Sequence, residues 1–263
     1  MRLLILTKRS LISIAFCLLI GILSATVAIS STVKAVQTAS TPREIPIYCV
    51  DTDKKQVALS FDAAWGNEQT EGLLDTLDKY NVKTTFFLVG EWVDKYPESV
   101  KEIAKRGHDV GNHSDTHCHM TQVSTTEMTK EGQSCNEKIK ALTNNTPTLF
   151  RPPYGDNNNV VVMSVNGCDM YCVQWDVDSL DWKDPTAEQI TKNVVNKIKN
   201  GSIILLHNGA ANTPEALPMI IEGILDKGYE IVPISDILLK GEYYTDVQGK
   251  MCAKENSSTT QTE

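Results

Sequence analysis

Two histidines four residues apart, His113-Ser-Asp-Thr-His117, can present both imidazoles on one face of a helical turn and grip one divalent cation. Such a spacing is weak alone, and it gains weight from other ionisable residues that close apolar runs. Asp62 ends Val57-Ala-Leu-Ser-Phe61, and His207 ends the all-apolar Ile203-Ile-Leu-Leu206. Arg151 opens the stiff segment Arg151-Pro-Pro-Tyr154-Gly155, and Asp181 lies in Asp178-Ser-Leu-Asp181-Trp182. An isolated His207 behind a buried strand reads as a satisfied core histidine. Beside Asp181, whose carboxylate favours the imidazolium, it reads as a proton donor. Asp62 reads as a carboxylate at a strand end, or as a helix N-cap.

Elements that could carry these groups alternate along the chain. Strand-like runs cover Val57–Phe61, Thr84–Val89, Asp109–His113, Leu149–Arg151, Tyr171–Trp175, Ser202–His207 and Glu230–Val232. Amphipathic helical patterns lie between them, around Leu73, Leu74, Leu77 and Tyr80, over Ser124–Leu142, around Val194, Val195 and Ile198, and over Pro214–Lys227. Gly107, Gly201 and Gly228 precede strands, where helix C-terminal caps are expected. Alternation of this kind implies a mostly parallel sheet, and the ionisable residues fall at the carboxyl ends of its strands. Alternation alone does not separate a barrel from an open sheet.

Composition narrows the partners. The 263 residues are 41% hydrophobic and 22% charged, which suits one sizeable core. A net charge of −8 with no basic run in the body argues against nucleic acid. Arg2, Lys8 and Arg9 precede an uncharged stretch from Leu11 to Ile29, close to the roughly 20 residues that span a bilayer. Residues 1–29 therefore read as a signal peptide or membrane anchor, with the flanking positives inside and the rest extracytoplasmic. Residues 30–45 form a small, polar linker, 46–240 one domain, and 241–263 a C-terminal extension. Cys17 lies in the apolar stretch; the other six, Cys49, Cys118, Cys135, Cys168, Cys172 and Cys252, permit disulfides in an exported domain, Cys49 with Cys252 or Cys168 with Cys172, or remain buried thiols.

The five polar segments, in this order, resemble the metal-dependent polysaccharide deacetylases, the NodB-homology group of carbohydrate esterase family 4. That resemblance implies a distorted (β/α)7 barrel and a hydrolase that removes N-acetyl groups from cell-wall glycan, peptidoglycan above all. Such chemistry needs activated water, a stabilised oxyanion and a proton for the departing amine. The resemblance implies Asp62 as general base, His113 and His117 as ligands of a divalent metal such as Zn²⁺, and Arg151 holding Asp62. Asp181 and His207 form the acid pair, Tyr154 lends a backbone N–H to the oxyanion, and Trp182 and Leu205 wall the acetyl pocket. Asp178 is read as structural, with Asp115 and His119 as neighbours that face solvent or support the histidines from behind.

One position departs from the family pattern. Where two consecutive aspartates are usual, this chain has Asp62-Ala63, and alanine coordinates nothing. Asp62 then turns to the metal, Glu68 or a water supplies the third ligand, or the site stays weak. The run Trp65-Gly-Asn-Glu68 resembles the sporulation-associated, PdaB-like subgroup. Two functions are carried forward: a deacetylase linked to sporulation, and an impaired pseudo-deacetylase that binds spore or wall glycan.

Overall fold

The computed structural model describes residues 43–254 together with Ile20 and Ile22. The apolar stretch read as an anchor or signal lies outside the described residues, apart from those two. No helix among the described residues is long and apolar enough to cross a membrane. The chain divides into two compact units, Met1–Arg43 and Glu44–Glu263, and the second carries the architecture.

Its centre is strand β2 (Gln56–Ala63), which pairs in parallel with β3 (Thr85–Leu88) on one side and β8 (Ile203–His207) on the other. Beyond β3 follow β4 (Asp109–Asn112), β5 (Leu149–Phe150) and β6 (Tyr171–Cys172); beyond β8 lies β7 (Val177–Asp178), and β9 (Glu230–Ile231) pairs with the start of β2. All these pairings are parallel, as expected of apolar strands covered on both faces. The sheet curls into a half-barrel whose edge strands β6 and β7 do not pair with each other. The expected α/β class stands, and in place of the expected distorted (β/α)7 barrel the sheet is an open half-barrel whose strands β5, β6 and β7 are only two residues long. A second sheet, unexpected from the sequence, joins β1 (Cys49–Val50) to β10 (Tyr243–Thr245) and β11 (Lys250–Ala253).

Two-residue periodicity divides the core. Val57, Leu59, Phe61 and Ala63 of β2, with Ile204 and Leu206 of β8, pack against α1 (Thr70–Lys79), α6 (Ala187–Val195) and α7 (Thr213–Asp226) through Leu73, Leu77, Ile190 and Ile220. Ala58, Phe87 and Ile203 form a separate cluster on the opposite, concave side. Ser60 and Asp62 share the parity of Ala58, so they too belong to the concave side. Gly111 in β4 is required there: a Cβ would stand 2.6 Å from Phe87.

The other helices are α2 (Gly90–Lys95), α3 (Pro97–Lys105), α4 (Thr125–Thr143), α5 (Asn159–Asn166) and α8 (Ile234–Ile237). Ser124 caps α4 by accepting from the Glu127 N–H, and Thr186 with Gln189 forms a capping box on α6. Gly107 and Gly228 follow α3 and α7 with positive φ, as expected of helix ends. Gly201 is different: α6 ends at Val195, and Gly201 serves a later turn in which a Cβ would lie 1.8 Å from the Val50 carbonyl oxygen. All six cysteines of the described domain are free thiols, so neither expected disulfide is present.

Candidate active site

The carboxyl ends of β2, β4 and β8 open into a cavity of about 490 Å³. Asp62, His113, His117, Tyr154, Trp182, Leu205 and His207 all line it, joined by Ala64, Trp65, Trp175 and Asp178. Residues separated by as many as 145 positions thus meet at one sheet end. Arg151 and Asp181 lie immediately behind this lining, each fully buried.

Asp62 is almost wholly enclosed. Its Oδ1 accepts from Arg151 Nη1 at 2.7 Å. Arg151 Nη2 donates to Ser60 Oγ at 2.8 Å and to the Gln174 carbonyl at 3.2 Å, and its guanidinium lies 4.1 Å from the centroid of the Phe87 ring. Burial opposes ionisation of Asp62, but Arg151, with His113 and His207, outweighs it and holds the carboxyl below its usual range. Asp62 is therefore an anion at neutral pH.

The His113–His117 segment is not a helical turn. It is a loop after β4 in which Ser114 and His117 take positive φ, 67° and 58°. Side chains hold it: Asn112 Oδ1 accepts from the Ser114 N–H and Ser114 Oγ from the His117 N–H. From α4, the buried Glu131 accepts from the backbone N–H groups of Asp115 and Thr116 and from the Thr116 hydroxyl, each at 2.9 Å. The loop brings the two imidazoles to a centroid separation of 5.0 Å. His113 Nδ1 lies 2.6 Å from the Arg151 carbonyl, which only accepts, so Nδ1 carries a proton and Nε2 faces Asp62 Oδ2 at 3.4 Å. Burial lowers the pKa of both rings, that of His117 to about 4.

His207 has the opposite character. Its Nδ1 lies 2.7 Å from Asp181 Oδ1, and its backbone N–H donates to Asp181 Oδ2 at 2.8 Å. Burial works against the imidazolium, but the bond to Asp181 and the charges of Asp181, Asp62 and Asp178 prevail and raise the pKa. Asp62 and His207 are register partners on neighbouring strands, so a carboxyl shifted toward its anion and an imidazole shifted toward its cation share one wall.

The rim is aromatic. Trp65, Tyr154 and Trp182 are all exposed, and the Trp65 ring lies 5.0 Å from that of His207. Tyr154, with φ 59°, is flanked by His117 and His119 at 4.4 and 4.2 Å. His119 is exposed, its ring stacked on Tyr154, whereas Asp115 turns inward, to Ser134 and Lys138. Glu68 lies outside the cavity lining and accepts from the Asn67 N–H, so it is not the missing ligand. Ser60, Trp65, Glu131 and Thr213 escaped the sequence reading; only Trp65, within the Trp65-Gly-Asn-Glu68 run, carried any signal.

The donor set does not fit a resident catalytic zinc, which takes three protein ligands and keeps one open position. His113 and His117 supply two nitrogens, Asp62 is committed to Arg151, and the Ala63 methyl faces the helices. No group of three His, Cys, Asp or Glu side chains among the described residues could hold a metal ion.

The family model described as polysaccharide deacetylase matches residues 50–173. Over 188 residues the chain is 36% identical to the peptidoglycan-N-acetylmuramic acid deacetylase PdaC of Bacillus subtilis, covering 72% of this chain but only 40% of PdaC. It is 36% identical to a peptidoglycan-N-acetylglucosamine deacetylase of Bacillus cereus, covering 69% of this chain and 68% of that one. Among solved structures, a CE4 family pseudoenzyme from Bacillus anthracis superposes with a TM-score of 0.71 at 37% identity, covering 73% of this chain and 68% of that one. The chain belongs to the polysaccharide deacetylase family.

Proposed function

We propose that the chain is a hydrolase of carbon–nitrogen bonds that removes N-acetyl groups from peptidoglycan outside the cytoplasmic membrane of a sporulating Gram-positive cell. In this reading residues 1–29 tether or export it, 30–45 link, 46–240 form the deacetylase domain and 241–263 extend it. Its partners are a cell-wall glycan and, through the tether, the membrane.

One observation carries the reading: two titratable groups on adjacent strands are pushed apart in pKa, Asp62 down and His207 up. Asp62 takes a proton from the attacking water, its orientation fixed by Arg151. His207, held by Asp181, gives a proton from Nε2 to the departing amine. The Tyr154 backbone N–H assists the oxyanion, and Trp182 and Leu205 receive the acetyl methyl. Three exposed aromatic rings suit the apolar faces of a sugar chain. His113 and His117 remain two nitrogen donors toward a divalent cation such as Zn²⁺.

Acetate release from purified peptidoglycan tests this. The native protein is expected to release it and His207→Ala to release none; equal rates would exclude the assignment. The second reading, a pseudo-deacetylase that binds glycan without turnover, is favoured by the outward-facing Ala63 and the incomplete donor set. Saturable glycan binding without acetate release would establish it.

A further inference from the structure

Thr213 opens α7 and lies 32 residues from Asp181 in sequence, yet its hydroxyl donates to Asp181 Oδ2 at 2.7 Å. Both side chains are fully buried. Oδ2 also accepts from the His207 backbone N–H at 2.8 Å, which leaves Oδ1 alone to meet His207 Nδ1 at 2.7 Å. The two carboxylate oxygens thus have divided tasks. A carboxylate is acceptor-only, so the nitrogen it faces must carry a proton. His207 then presents Nε2 to the cavity in both its neutral and charged forms.

We propose that Thr213 is a positioning residue: its hydroxyl fixes the rotation of the Asp181 carboxylate, and through it the tautomer and ring orientation of His207. This rests on the reading of His207 as the group that faces substrate. Without the Thr213 bond, Oδ2 is held only by a backbone N–H, and the carboxylate can turn about its terminal torsion, which is broad and roughly two-fold. The His207 ring then loses its fixed partner. Valine matches the shape of threonine without the hydroxyl, and serine keeps the hydroxyl without the methyl.

The test compares native protein, Thr213→Val and Thr213→Ser by nitrogen-15 NMR of the histidine rings, with circular dichroism as the check on folding. In native protein and Thr213→Ser, neutral His207 is expected to carry its proton on Nδ1, with a downfield, slowly exchanging signal. In Thr213→Val that signal is expected to be lost to exchange or to split between tautomers. Where acetate release is measurable, Thr213→Val is expected to lose about tenfold in kcat, the loss of one bond to a charged group, with KM within about twofold. An unchanged Nδ1–H signal in folded Thr213→Val overturns the proposal. So does a native His207 protonated on Nε2, a measurement that needs no variant to fold. Because NMR reads the ring directly, absence of acetate release from native protein would count against the deacetylase reading alone.

Discussion

Replacing Arg151 by methionine leaves the Asp62 carboxylate in place, 4% exposed and without its charged partner. The guanidinium is fully buried, and its 2.7 Å bond to Asp62 is reinforced by bonds to Ser60 and the Gln174 carbonyl. Methionine roughly restores the stem against Phe87, so the main loss is electrostatic. Breaking a buried pair by removing one member costs about 3–5 kcal/mol, because the remaining charge stays desolvated. The loss must depend on pH. In native protein Asp62 sits below its usual range, so its contribution is present above the unfolded carboxyl value of about 3.9 and disappears as pH falls through the folded value. Without Arg151, burial dominates and raises the carboxyl, which makes the variant lose stability as pH rises from about 4. The deficit of Arg151→Met should therefore widen between acidic and neutral pH, as read by urea unfolding at several pH values. Adding Asp62→Asn should recover part of it, since the stranded charge is gone. A deficit below about 1 kcal/mol, or one constant with pH, would refute the claim that Arg151 exists to hold a buried anion.

Ala63→Asp places a carboxylate where the side chain faces the apolar helix layer, and is expected to cost at least about 2 kcal/mol in the absence of metal. If the new acid can turn to join His113 and His117, zinc at about 100 times its Kd should return about 2.7 kcal/mol; equal zinc responses of native and variant melting curves would mean that position 63 is out of reach. In Asp181→Asn the pKa of His207 should fall, because burial then opposes the imidazolium with less compensation, and the alkaline limb of kcat/KM should move to lower pH. The stability that His207 adds in native protein should be full below about pH 6.5 and decline as pH rises through its folded value. Glu131→Gln cannot accept all the loop bonds with one amide oxygen and is expected to cost about 1–3 kcal/mol in urea unfolding.

Much of the fold was legible because a parallel strand covered on both faces reads as an apolar run, and β2, β3 and β8 are such runs. The short strands β1, β7, β10 and β11 escaped because two to four residues carry no period. Their pairing is set by partners far away, as when Cys49 meets Lys250. The loop at His113 misled for the same reason. A four-residue spacing is compatible with a helix, but Asn112, Ser114 and Glu131 supply hydrogen bonds that favour two left-handed residues instead. The cavity lining was legible where a strand end pointed to it, and the buried support behind it was hidden where it came from a helix start such as Thr213.

Position 63 joins the two problems. Consecutive side chains of a regular strand point to opposite faces, so two neighbouring acids can both serve one cavity only where the strand stops or twists between them. In this chain β2 runs through Ala63, which still pairs with Leu88, while Asp62 pairs with Phe87 and His207. Alternation therefore holds up to the residue at which the resembled family carries its second aspartate, and Ala63 joins Leu59 and Phe61 in the apolar layer. A small apolar side chain at 63 and unbroken strand pairing support each other. The same regularity that aims Asp62 and His207 into one cavity removes position 63 from it, so the strand supplies that cavity with one carboxylate rather than two.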